Sequence, residues 1–284
     1  MAARETDPVI RRLTGVPETM LITLAARVLA PRDNPDLGFR DPNAEAIAMS
    51  FDFDPARFRA DRKSMRGTIL RALWFDQQIA AWLDRFPNSL CISFGSGLDI
   101  RRPRLHNAGR CRWVDVELPE IHALRRRVAL QTSGGLELVS DATDLTTWMA
   151  DLPDETGRPV IFFAEGVFMY LEPRKIIALL RALVSYAHDH DSRLCVVLDY
   201  VSPFAMRHSQ SNPSVRQTGA NFAWAMRSPG DLTREVPGLQ FHEGIDLTRR
   251  VDRFAWLAGR LYTLLHHGAS LCGAARYEAP IMSK

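Results

Sequence analysis

Five short apolar runs, Ser89–Phe94, Cys111–Val116, Leu136–Val139, Val160–Ala164 and Leu194–Leu198, alternate with stretches of helical periodicity, and this alternation limits the fold more than any other feature. A strand that must run parallel to the next needs a crossover, and a helix is the usual crossover. Repeated strand–helix units therefore predict a mostly parallel Rossmann-like α/β sheet with helices on both faces. Pro119 and Pro173 open two of the crossover segments, where a helix's first turn tolerates proline because its N–H would lack a partner anyway.

The chain before and after this block reads differently. From Thr19 to about Phe86 apolar residues recur at three- and four-residue spacing, as in Leu21, Leu24 and Val28 or Ile69, Leu73 and Leu83, so residues 1–86 are expected to form a helical cap. Residues 87–284 are then the core. Within it, residues 202–235 carry Pro203, Pro213, Gly219, Pro229 and Gly230 among polar and aromatic side chains, which predicts a lid insertion. Strands near 239–245 and 274–279 enclose a helix over 254–267.

Composition excludes several classes. With 46% hydrophobic residues in 284 the chain can bury a sizeable core, and 36 basic against 33 acidic side chains give no reason to expect nucleic acid. The Arg-rich pieces Arg101, Arg102, Arg104 and Arg125–Arg127 read as solvated faces. Cys91, Cys111, Cys195 and Cys272 form no C-x-x-C pair, so neither a metal site nor a disulfide framework is expected and a reducing cytoplasm fits. The apolar stretch over 20–30 is interrupted by Thr23 and Arg27 and is too short to span a bilayer.

The chemistry concentrates where strands should end. The first apolar run leads into Gly95-Ser96-Gly97-Leu98-Asp99, whose glycines let the backbone turn tightly beside a ligand. Asp115 stands 20 residues after Gly95, where a Rossmann site places the carboxylate that accepts from ribose hydroxyls. Ile100 occupies the place of the third glycine of a dinucleotide fingerprint, and Asp99 would repel a phosphate but pair with an amino group. Both favour a nucleoside ligand without phosphates over a pyrophosphate. Asp141 and Glu165 follow the third and fourth runs, so both are expected to face the same crevice beyond the strand ends.

Four ordered blocks carry a family resemblance: Arg71-Ala72-Leu73-Trp74-Phe75-Asp76, residues 94–101, Trp113-Val114-Asp115-Val116-Glu117-Leu118-Pro119-Glu120, and Ala164-Glu165-Gly166-Val167-Phe168-Met169-Tyr170-Leu171. Together they resemble the family that joins the leucine carboxyl methyltransferases to the tetracenomycin-type polyketide O-methyltransferases. The resemblance implies S-adenosylmethionine as cofactor and a small-molecule methyl acceptor, a carboxylate or phenol. It implies that Arg71 holds the cofactor's carboxylate, that Arg27 also reaches the cofactor, that the turn of Gly95 and Gly97 wraps its amino-acid part, that Asp115 binds ribose, that Asp141 and Ala142 flank adenine and that Glu165 closes the site near the methionine moiety. Where members carry threonine after the Asp of the turn, this chain has Ile100.

His208, Phe222 and Trp224 in the insertion are the candidates for acceptor binding, and no catalytic base is assigned. A protein C-terminal carboxyl methyltransferase would share the whole cofactor site. A nicotinamide-dependent oxidoreductase would share the glycine turn and Asp115, and a non-catalytic cofactor-binding relative would share every motif. Only three of the 36 basic residues are lysine, a bias resembling GC-rich bacterial coding, which favours a secondary metabolite over a eukaryotic protein tail as acceptor.

Overall fold

In the computed structural model, which describes residues 13–127, 135–140 and 144–281, three helices precede the sheet: α1 (Val16–Asp33), α2 (Pro42–Ser50) and α3 (Arg62–Arg85). Each begins at a recognisable signal. Pro17 and Pro42 sit in first turns, and the Asp41 and Asp61 carboxylates accept from the N–H groups of Ala44 and Ser64, satisfying donors that a helix start leaves open. Along α3, Met65, Ile69, Ala72, Phe75, Ile79 and Leu83 are buried at helical spacing.

The sheet has seven strands in the order β3-β2-β1-β4-β5-β7-β6. Five are mutually parallel: β1 (Leu90–Phe94), β2 (Arg112–Glu117), β3 (Leu136–Val139), β4 (Val160–Ala164) and β5 (Leu194–Val201). β7 (Cys272–Ala279) runs antiparallel beside β5, and β6 (Gln240–Asp246) pairs antiparallel with β7 at the edge. Helices α4 (Pro119–Arg127) and α5 (Pro173–Asp189) lie in the crossovers. The direction of winding reverses between β1 and β4, the switch point at which an open α/β sheet leaves a crevice beyond its carboxyl ends.

Successive residues of β1 serve opposite cores, as the pleat requires. Leu90, Ile92 and Phe94 join Phe162, Trp148 and the apolar face of α5, while Cys91 joins Trp113, Phe163 and the Phe75–Trp82 side of α3. A third cluster holds α1 and α2 together and takes in Leu98 and Ile100. Ile100 is thus a packing residue against the N-terminal helices.

Residues 202–235 contain α6 (Pro203–Arg207), α7 (Pro213–Thr218) and α8 (Pro229–Glu235). The segment is tied down along its length. Asn212 Nδ2 donates to Ser64 Oγ at 2.8 Å, the Ala223 N–H donates to the Met169 carbonyl at 2.7 Å, and the Met226 N–H donates to the Val201 carbonyl at 2.9 Å. After β6, α9 (Thr248–Val251) and α10 (Arg253–Leu265) lead to β7.

Candidate active site

The glycine turn follows β1 directly. Gly95 and Gly97 have φ of 67° and 59°, left-handed backbone that disfavours side chains, and a Cβ on Gly95 would lie 2.8 Å from Val167 Cγ2. The turn is held from the next strand. The Gly97 N–H donates to Glu117 Oε1 at 2.6 Å and Ser96 Oγ donates to the same oxygen at 3.0 Å.

Beneath the turn lies a buried charge network that joins four elements. Asp99 accepts from Arg104 Nη1 at 2.6 Å, from Arg101 Nη2 at 2.9 Å and from Arg27 Nη1 at 3.1 Å, and Arg27 also donates to Asp41 at 3.0 Å. Arg104 donates further to Asp41 at 2.8 Å and to Asp76 at 3.1 Å. Arg101 pairs with Glu165, to which Arg71 Nε donates at 3.0 Å, and Arg71 Nη1 donates to Asp199 at 2.9 Å. The Asp199 carboxylate also accepts the Gly166 N–H at 2.7 Å.

Burial raises the Asp99 carboxyl, but Arg104, Arg27 and Arg101 outweigh it and hold the group well below the usual carboxylate range. Glu165 is likewise lowered, burial being outweighed by Arg101 and Arg71. Asp199 and Asp76 go the other way, because desolvation exceeds what their arginines return.

One finding corrects the sequence reading. Arg101, Arg104 and Arg125 are not solvated: they are buried among carboxylates and turn carbonyls, and Arg125 donates to the Gly97 carbonyl at 2.8 Å while pairing with Asp115 at 3.2 Å. Single-letter patterns cannot distinguish such a cation from a surface one when its acids lie far off in sequence. At the end of β2, Asp115 stands opposite Ser93 of β1 and Glu117, the last residue of the strand, lines the crevice; both carboxylates are buried. Desolvation, only partly offset by Arg125 and the Gly97 N–H, pushes the Glu117 carboxyl up to about 7. The signal was present in sequence: Glu117 stands directly before Leu118-Pro119, where the strand must end.

Three cavities meet at Thr23 of α1. A small one, about 30 Å³, is lined by Arg27, Arg71, Asp99, Arg101 and Glu165. A second, about 160 Å³ and mostly apolar, runs past Gly95, Gly97, Glu117, Leu118, Ser140 and Leu145. The third, about 430 Å³, opens between α1, α3 and the insertion, with Arg71, Tyr170, Asp199, Phe222, Val251 and Ala255 on its walls. A nucleoside with a zwitterionic side chain fits the first two. Arg27 Nη2 is buried without a hydrogen-bond partner among the described residues, a free donor beside Arg71 for a ligand carboxylate, and Glu117, whose Oε1 is held by Gly97 and Ser96, lines the second cavity.

Of the sequence-predicted residues, Arg27, Arg71, Gly95, Gly97, Asp99 and Glu165 come together here, and Asp141 and Ala142 lie outside the described residues. The insertion residues separate. Phe222 packs edge-on against Tyr170 and lines the third cavity. Trp224 is buried in the core against Phe168, and His208 is exposed, its ring tilted against that of Phe204 and its Nδ1 donating to the Phe204 carbonyl at 2.8 Å.

Comparison with known proteins agrees with this geometry. The chain is 33% identical over 233 residues, 82% of its length and 83% of the relative's, to the tetracenomycin polyketide synthesis O-methyltransferase TcmP of Streptomyces glaucescens. It is 28% identical over 271 residues, 88% and 89% of the two chains, to the S-adenosyl-L-methionine-dependent methyltransferase dpfgK of Gibberella zeae. A crystal structure from Thermobifida fusca superposes over 96% of this chain and 98% of its own with a TM-score of 0.53 at 15% identity, a likeness of fold. The sequence profile of the leucine carboxyl methyltransferases matches residues 19–184, and the chain belongs to that family.

Proposed function

We propose that this protein is an S-adenosylmethionine-dependent O-methyltransferase whose acceptor is a small-molecule carboxylate or phenol of the polyketide type. The observation that carries the reading is the meeting of three cavities at Thr23: one basic and acidic at once, one apolar with a single carboxylate, one large and open to the insertion. The names of the relatives that act in tetracenomycin synthesis and with S-adenosyl-L-methionine support it.

Bound, the cofactor supplies a methyl group on a positively charged sulfur. Arg71 and the unpartnered Nη2 of Arg27 hold its carboxylate, while Asp99 and Glu165, both kept ionised by arginines, face its ammonium group. Glu117 takes the ribose hydroxyls in place of Asp115, and Leu118, Leu145 and Val167 supply apolar surface for the base. Asp141 and Ala142 keep the role beside adenine that the family resemblance implies.

The chain's own contribution to rate is placement. Holding an acceptor oxygen in line with the methyl-bearing sulfur is worth about 7 to 11 kcal/mol when both partners are in near-attack geometry. An ionised carboxylate needs no base, and the residues that meet an acceptor first, Tyr170 and Phe222, present an aromatic wall suited to a planar ring.

Calorimetric titration with S-adenosylhomocysteine, paired with labelled-methyl transfer to a panel of phenols, aromatic carboxylates and peptide C-termini, tests the proposal. Cofactor binding with transfer to aromatic acceptors is expected. Transfer to peptide C-termini alone would move the chain to the protein-modifying branch, and NADH binding without any response to S-adenosylhomocysteine would refute the reading.

A further inference from the structure

Helix α10 is turned inside out relative to a helix that serves its own core. Phe254, Leu257, Leu261 and Leu264 recur at 3-4-3 spacing and are 80%, 61%, 56% and 73% exposed, and Leu265 beside them is 67% exposed. The side turned to the body is small instead. Gly259 is buried where a Cβ would lie 2.7 Å from Arg249 Cγ, and Ala255 lies against the third cavity. The packing of α10 on α9 thus uses its small residues and leaves the large apolar ones outside.

That face has the properties of an interface core. From Arg253 to Leu265 there is no Lys, Glu or Asp, and the two arginines lie at the border, with Arg260 stacked over Trp256 at 5.3 Å. Aromatic side chains and arginine with few lysines and acids is the composition of a buried contact. Phe204 of α6, 45% exposed and 6.0 Å from the Tyr262 ring, extends the patch beyond one helix. The apolar area on offer is on the order of 700 Å², close to the ~800 Å² each partner contributes to a stable interface.

We propose that this face pairs with the same face of a second copy of the chain, α10 packing antiparallel on the partner's α10 across a two-fold axis. The 3-4-3 spacing is the seam of one helix lying along another, which a flat bilayer does not require. The pattern is also its own complement. Centred on Gly259, an antiparallel pair sets Leu257 against the partner's Leu261 and Phe254 against the partner's Leu264, and the reverse, as an isologous contact demands. Because Val251 and Ala255 line the third cavity, pairing also braces that wall from behind.

The test is the solution mass of the full chain by sedimentation equilibrium at micromolar concentration. Twice 32.0 kDa is expected. A chain carrying Leu257→Glu with Leu261→Glu is expected to sediment as one copy while binding S-adenosylhomocysteine within twofold of the parent. A second chain carrying Leu257→Arg with Leu261→Arg is expected to be a single copy alone and to form a two-chain species when mixed with the first, which separates loss of pairing from loss of folding. A monomeric parent at about 50 µM would overturn the proposal, as would a parent that instead co-sediments with phosphatidylglycerol vesicles. So would a two-chain species that survives the Glu substitutions or is not restored by mixing.

Discussion

The crevice at the strand ends and the wall formed by residues 202–235 are built on opposite principles. In the crevice, Arg27, Arg71, Arg101 and Arg104 meet Asp41, Asp76, Asp99, Glu165 and Asp199 largely out of water, so each charge depends on partners from distant parts of the chain. The wall is held by backbone hydrogen bonds and a few side-chain amides, and among the residues it puts on the third cavity, Asn212, Ser214, Val215 and Phe222, the aromatic one packs edge-on against Tyr170. A ligand-binding half assembled from interlocked buried charges cannot vary piecemeal; a half assembled from apolar contacts on a pinned loop can change occupant without disturbing the sheet.

The contrast is broken most severely by removing the shared acid. Asp99→Ala leaves three buried guanidinium groups without their common partner and is expected to cost about 3 to 5 kcal/mol of folding stability, measured by denaturant unfolding. A loss under 1 kcal/mol would mean that water reaches the network. Trp224→Ala is expected to cost nearly as much, about 3 to 4 kcal/mol, because this side chain packs against Phe168 in the core rather than against an acceptor. If it folds normally and loses only acceptor turnover, Trp224 belongs to the wall after all.

Glu117 sharpens the comparison, since it lies in the charged half yet has no strong cation to itself. Its folded-state carboxyl titrates near 7, above the ordinary 4.5, so ionising it opposes folding progressively as pH rises from about 4.5 through 7. Glu117→Gln is therefore expected to unfold at higher temperature than the parent at pH 8, by up to roughly 3 kcal/mol in stability, and to match it at pH 5. Cofactor affinity should move oppositely, falling by about 1.5 to 3 kcal/mol at pH 8 when the charged acceptor is lost. In the parent, S-adenosylhomocysteine binding should weaken as pH drops through 7. Titration calorimetry at the two pH values checks both signs, and a pH-independent dissociation constant would return the ribose to another residue.

On the wall itself, Phe222→Ala is expected to reduce kcat/KM for an aromatic acceptor by about fivefold, near 1 kcal/mol, with cofactor affinity within twofold. His208→Ala, exposed and outside the cavity walls described, is expected to change neither stability nor turnover by more than about 0.5 kcal/mol. Steady-state kinetics on the two variants measures how far the acceptor half is independent of the cofactor half.

Much of this was legible from residues alone, and the reason is locality. The five parallel strands announce themselves as apolar runs, Gly95 and Gly97 mark their turn, and Pro119 and Pro173 mark helix starts, because strand, turn and first-turn preferences act over a few residues. The four motif blocks likewise carry the family without coordinates. What only the tertiary structure decided are the outcomes that depend on depth and on distant partners. Asp115 and Glu117 share a strand face by parity, and it is β2 running one residue past the end of β1 that brings Glu117 to the crevice. Arg104 looks like surface charge until Asp76 and Asp41 arrive from 28 and 63 residues away. Trp224 and Phe222, two positions apart, face core and cavity respectively because the Ala223 N–H is fixed to the Met169 carbonyl, and α10 turns its leucines outward because Gly259 admits Arg249. Burial is a property of the assembled neighbourhood, and no window of sequence contains the neighbours.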